Sequence, residues 1–225
     1  MQPFQPKIDE LLLLVPTQGE LSAILAAREI ALLVERGLRV CACGFGLVAS
    51  GLVTARELSR LKPKGVILVG IAGALQPRAG TGQAIEFSAV AVHGIGAGSG
   101  AGFQSATKMG WEPFPEPELG IGEVIETGWP DQPAISTSLL LSVCSASAND
   151  ADRESKTGMF PDAVAEDMEG YAVAAACRLA GVPVRIVRGI SNLAGNRNHS
   201  TWTTAEALSS ASAMVAAIIH PSTEP

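Results

Sequence analysis

Short apolar runs take turns along the chain with longer stretches in which alanine and leucine recur at helical spacing. Leu11–Val15 reads as a strand, and the segment Leu21–Arg36 after it reads as a helix. The pattern repeats with a strand over Leu38–Cys43, a helix ending near Leu61, and an apolar strand over Val66–Val69. Ala84–Val92 is a further strand, followed by ten residues, His93–Gly102, too rich in glycine for a helix. Gly120–Pro133 is rich in turn formers, Ser136–Ser145 suits a helix, and Ser147–Gly158 reads as a polar loop. The last third is the clearest. It holds a strand over Ala163–Asp167, a helix over Gly170–Leu179 closed by Gly181 and Pro183, a strand over Val182–Ile190, and a helix over Thr204–Ile219. Strands that alternate with helices and are apolar on both faces predict an α/β fold around a largely parallel sheet.

Polar groups interrupt this apolar text where strands end. Glu169 stands between a strand and a helix start, where the helix dipole favours a carboxylate. Arg188 shares strand phase with Val184 and Ile186, so it faces inward and needs a partner. Asn192 falls in the loop after the strand's carboxyl end, the usual place for ligands in open α/β sheets. Glu20 lies at the first helix start, where a plain dipole-complementing charge competes with a functional role. Gly44-Phe45-Gly46-Leu47-Val48-Ala49 has the form of a dinucleotide loop, yet the next strand runs into Gly70-Ile71-Ala72-Gly73 without the acidic residue a ribose needs. The glycines therefore mark a tight backbone turn.

The stretch EDMEGYAVAAACRLAGVPVRIVRGISN resembles the carboxyl-terminal signature of the purine nucleoside phosphorylase and nucleosidase superfamily. Its form here, Ile190-Ser191-Asn192 followed by Gly195 and Arg197, is most similar to the futalosine hydrolases, nucleosidases of an alternative menaquinone pathway. The resemblance is dense over about thirty residues, with weaker echoes near Glu20, Gly44 and Gly70. It implies a single three-layer αβα domain over residues 1–225 with a central mixed, largely parallel sheet. It also implies a role for each polar group. Glu20 would hold and deprotonate the attacking water, Glu169 would hold the ribose hydroxyls, and Arg188 would fix the water and neutralise the carboxylates. Asn192 would meet N7 and the 6-substituent of the purine, Gly70 and Ile71 would lie beneath the sugar, and Met168 would lie against it or serve the core alone. Related adenine nucleosidases carry aspartate where this chain has Asn192, and serine where it has Ile71. An amide suits a 6-oxopurine better than an ionised carboxylate does, because two acceptors would otherwise face each other. Superfamily phosphorylases hold phosphate in the first loop with glycine and arginine; no arginine occurs between Pro16 and Ala27, which favours hydrolysis.

Composition narrows the rest. With 225 residues, 47% of them hydrophobic, the chain can bury a substantial core. A net charge of −6 without a basic block argues against nucleic acid as a partner. Cys41, Cys43, Cys144 and Cys177 match no zinc spacing and read as reduced core residues of a cytoplasmic protein. The opening apolar run is too short to span a membrane and poorly flanked for a signal peptide. No metal or other cofactor is expected. His93 reads as a structural residue, and Phe103, Trp111 and Phe114 as a lid or the interface of a homo-oligomer. The alternatives are a 6-aminopurine nucleosidase and a non-catalytic nucleoside-binding protein.

Overall fold

The computed structural model describes residues 4–220 apart from 113 and 135, and apart from the side chains of 101 and 133. Its first strand, β1 (Leu11–Val15), is buried throughout. Leu12 and Leu14 enter one apolar core while Leu11, Leu13 and Val15 enter another, as the two-residue period of a strand requires. That division defines three layers. The segment expected to be one helix is two, α1 (Gln18–Ala26) and α2 (Arg28–Glu35), joined through Ala27 in an extended conformation. No glycine or proline marks the break. It turns Ile24, Ile30 and Leu33 into the same core, although a six-residue separation puts the first two on different faces of a straight helix.

β2 (Arg39–Ala42) pairs parallel with β1, and α3 (Gly46–Leu61) then crosses to β3 (Gly65–Ala74). The stretch expected to be one strand divides at Ser88 into β4 (Ala84–Phe87) and β5 (Ala89–His93). A small hairpin follows, β6 (Gly96–Ala97) with β7 (Gln104–Ser105). Short strands β8 (Val124–Glu126), β9 (Gly128–Trp129) and β10 (Gln132–Pro133) edge the main sheet. Two expectations are corrected next. The segment read as a helix forms β11 (Leu139–Val143), because a short run of leucines buried on both faces has no period that separates helix from strand. The segment read as a polar loop forms α4 (Asp150–Met159), started by the Asn149 side chain, which accepts from the Asp152 N–H at 2.9 Å. The chain ends with β12 (Ala163–Asp167), α5 (Gly170–Leu179), β13 (Val184–Leu193) and α6 (Thr204–Ile219).

The sheet is mixed and mostly parallel, with β13 and β3 side by side along their whole length. Helices α1, α2 and α6 pack on one face and α3 and α5 on the other. The free edge of β3 is shared between two strands. β1 pairs with Gly65–Leu68 in parallel, and β12 pairs with Gly73 and Ala74 antiparallel. Between them, residues 69–72 have no strand neighbour on that edge among the described residues, and the sheet opens. No helix among the described residues is long and apolar enough to cross a membrane.

Candidate active site

The opening in the sheet is where the polar groups gather. Glu20, at the third position of α1, closes a reciprocal cap with Thr17: its N–H donates to Thr17 Oγ1, and its Oε2 accepts from the Thr17 N–H at 3.1 Å and hydroxyl at 2.6 Å. Its other oxygen, Oε1, accepts from the Ile71 N–H at 2.9 Å. A carboxylate thus replaces the missing strand partner on the β3 edge. The helix-cap and functional readings of Glu20 are compatible, for the same contacts that cap α1 aim the carboxylate at the opening. Gly70 sits directly below. A Cβ there would meet Arg188 Nη1, Glu20 Oε1 at 2.7 Å and Pro16 Cδ at 2.9 Å, so no side chain fits.

Arg188 projects from β13 and is fully buried. Its Nη2 donates to Asp167 Oδ2 and, at 3.3 Å, to Glu169 Oε2. Its Nε and Nη1 have no partner among the described residues. Asp167 is further held by the Ser142 hydroxyl and the Gly170 N–H, the latter at 2.8 Å. Glu169 precedes the first residue of α5 and accepts at Oε1 from the Gly46 N–H, 3.0 Å away. Gly46 begins α3 with φ of +82°, a turn that suits glycine and brings a helix N-terminus to this carboxylate. Burial pushes the Glu169 pKa up to about 7. The Arg188 charge and the Gly46 N–H oppose the shift, while Asp167 and Glu20 add to it.

Asn192 corrects its expected placement. It lies within β13, which continues to Leu193 through a register shift between Ile190 and Asn192. Its Oδ1 accepts from the Ser191 hydroxyl at 2.7 Å, and its Nδ2 donates to Leu193 O at 2.8 Å and Asn196 O at 3.5 Å. The Leu193 carbonyl fixes the amide's direction, because a flipped amide would set two acceptors against each other.

One cavity of about 360 Å³ joins these groups. Glu20, Ile71, Met168, Glu169 and Asn192 line it, whereas Gly70 and Arg188 lie behind its surface. Sequence reasoning did not assign Thr17, Phe45, Glu166, Asp167, Ser191 or Trp202, which line it too. Glu166 and Asp167 carried a usable signal, two acidic residues ending an otherwise apolar strand. The remaining four depended on tertiary placement. Among the described residues no cluster of histidine, cysteine, aspartate and glutamate forms a metal-ligand set. His93 lies outside this cavity and packs edge-on against Phe103 and Phe160. Phe103 and Phe114 are half-buried, so the expected aromatic patch reduces to Trp111. Three of the exposed apolar side chains, Phe45, Val48 and Leu52, line up at helical spacing over the start of α3. All four cysteines are free, but Cys144 is exposed and Cys41 half-buried, so only Cys43 and Cys177 belong to the core.

A three-layer sandwich whose first-loop carboxylate, buried arginine and helix-start carboxylate meet at a gap in the sheet places this chain in a known class. It belongs to the phosphorylase superfamily, whose profile matches residues 30–220. Its relatives include the futalosine hydrolase of Streptomyces coelicolor, 30% identical over 146 residues, which are 64% of this chain and 60% of that protein. A 5′-methylthioadenosine/S-adenosylhomocysteine nucleosidase of Staphylococcus aureus is 26% identical over 172 residues, 72% of each chain. Among solved structures, the Helicobacter pylori nucleosidase of that second type, bound to butyl-thio-DADMe-Immucillin-A, has the same fold. It superposes with a TM-score of 0.74 at 17% identity, covering 97% of this chain and 99% of the other. Futalosine hydrolase of H. pylori superposes with a TM-score of 0.73 at 17% identity, over 94% and 97%.

Proposed function

We propose that this protein is a nucleosidase that hydrolyses the N-glycosidic bond of a purine ribonucleoside, with futalosine as substrate and hypoxanthine as the released base. The observation that carries the reading is the pairing of Glu20 and Glu169 across one cavity, with Arg188 beneath both. Glu20 accepts a proton from the attacking water, held at the β3 edge by the bonds from Thr17 and Ile71. Glu169, once ionised, accepts from the ribose hydroxyls and stabilises the positive charge that develops on the sugar. Arg188 favours the ionised form of Glu169 against its burial, and its Nη1, unpartnered among the described residues, points to the same ground above Gly70 as Glu20. The cavity favours water over phosphate as the attacking group. The first loop brings the Glu20 carboxylate to the β3 edge, and no arginine occurs between Pro16 and Ala27 to meet a phosphate anion.

Asn192 supports the 6-oxopurine. Its bond to Leu193 O is short, whereas its second N–H makes only a 3.5 Å contact with Asn196 O. A purine O6 displaces that weak contact and gains a donor, which a 6-amino group cannot use. The 6-aminopurine alternative keeps one argument, the match to the S. aureus methylthioadenosine/S-adenosylhomocysteine nucleosidase. Incubation with futalosine and with methylthioadenosine, each without phosphate, decides. Release of hypoxanthine from the first at a higher kcat/KM supports the proposal. Base release that requires phosphate and yields a ribose 1-phosphate overturns hydrolysis.

A further inference from the structure

The residue before Asp167 belongs to a different network. Glu166 is buried, and its Oε2 lies 2.8 Å from Nζ of Lys156, the one buried residue of α4. Both groups converge on a single piece of backbone. Glu166 Oε1 accepts from the Ser147 N–H at 2.7 Å, and Oε2 from the Ser147 hydroxyl at 2.9 Å. Lys156 donates to Ser145 O at 2.8 Å and to Ser147 Oγ at 3.0 Å. With Glu166 these use all three protons of the ammonium group, so Lys156 has none left for a ligand.

The segment they hold has little else to fix it. Ala146 and Ser147 line the nucleoside cavity, and Ala146 also lines a second cavity of about 290 Å³ bounded by His93, Cys144, Ser145, Asp152 and Lys156. At Ala146 the partition between the two is one residue thick. Packing holds a side chain only where atoms press on it from every side, which a thin partition lacks. Hydrogen bonds must therefore set its position. We infer that Glu166, itself held by Lys156, is a positioning residue that fixes the 145–147 wall of the nucleoside pocket and so governs substrate affinity, not the rate of bond cleavage. The inference rests on the nucleosidase reading.

The test compares two double variants that both remove the charges and so leave no unpaired ion in the interior. In Lys156→Met/Glu166→Gln the amide still accepts from the Ser147 N–H and donates to its hydroxyl. In Lys156→Met/Glu166→Leu nothing holds Ser147. The substrate is futalosine or methylthioadenosine, whichever the wild type cleaves, and circular dichroism checks folding. The leucine variant is expected to raise KM about tenfold or more, as the loss of hydrogen bonds to a charged group implies, with kcat within about threefold of wild type. The glutamine variant restores KM to within about threefold. Ser147→Ala, which keeps the N–H and loses the hydroxyl, gives an intermediate KM and supplies the result if the leucine variant does not fold. An unchanged KM in the leucine variant and in Ser147→Ala, or equal losses of kcat in both double variants, overturns the inference while the nucleosidase reading stands. A wild type that cleaves neither nucleoside overturns both.

Discussion

β12 ends in two carboxylates that meet opposite fates. Glu166 joins Lys156 in a pair whose every donor is used, and the product is a fixed stretch of backbone. Asp167, the next residue, shares Arg188 with Glu169, and there the network stays open: two guanidinium nitrogens lack partners among the described residues and the Glu169 pKa rises to about 7. Both pairs are buried, so burial alone does not separate them. What separates them is completion. A satisfied buried ion pair fixes geometry, whereas an unsatisfied one retains free energy that a ligand can release.

The largest expected effect breaks the comparison on its open side. Glu20→Gln removes the group proposed to take the proton from water while leaving the amide able to accept from Ile71. It should lower kcat by about 10²–10⁴ with KM little changed, measured by base release under saturating substrate. A loss below tenfold would move the base elsewhere.

A titration sharpens the comparison further. In the proposed mechanism Glu169 accepts from ribose only when ionised, so its pKa near 7 should make kcat/KM rise by about tenfold between pH 6 and pH 8. Stability runs the other way. Because the folded pKa lies above the ordinary 4.5, the contribution of Glu169 is whole below about pH 4.5 and is lost as pH rises through about 7. Glu169→Gln should abolish the rising limb of the rate profile and flatten the matching fall in urea stability. A rising limb that persists in the variant would assign it to another group.

The smallest effect concerns the base. Asn192→Asp places an acceptor where the structure has a donor held by Leu193 O. It should narrow or reverse the preference for futalosine over its 6-amino analogue, by about tenfold in the ratio of kcat/KM values. An unchanged ratio would remove Asn192 from base selection.

Much of this site could be read from the chain alone. Glu169 and Arg188 stood out because charge is rare in apolar strand-and-helix text, Glu20 only through the resemblance; α5 was legible from its stop at Gly181 and α6 from its run of alanines. β11 was hidden because Leu-Leu-Leu-Ser-Val has no period of its own. α4 was hidden by polarity, since its one buried side chain, Lys156, is itself charged. That misreading also concealed the Lys156–Glu166 pair, whose partners lie ten residues apart across an element the sequence did not announce. Asn192 was assigned to the loop after β13 because a register shift inside a strand leaves no mark in hydropathy.

The gap on the β3 edge has a consequence for solution spectroscopy. In a continuous sheet an amide proton is protected from exchange by a neighbouring backbone, and its lifetime reports the opening of the strand. The Ile71 amide is protected by the Glu20 side chain instead. Its exchange with deuterium therefore follows one carboxylate, and whatever engages or protonates that carboxylate becomes visible at a single resonance without any turnover.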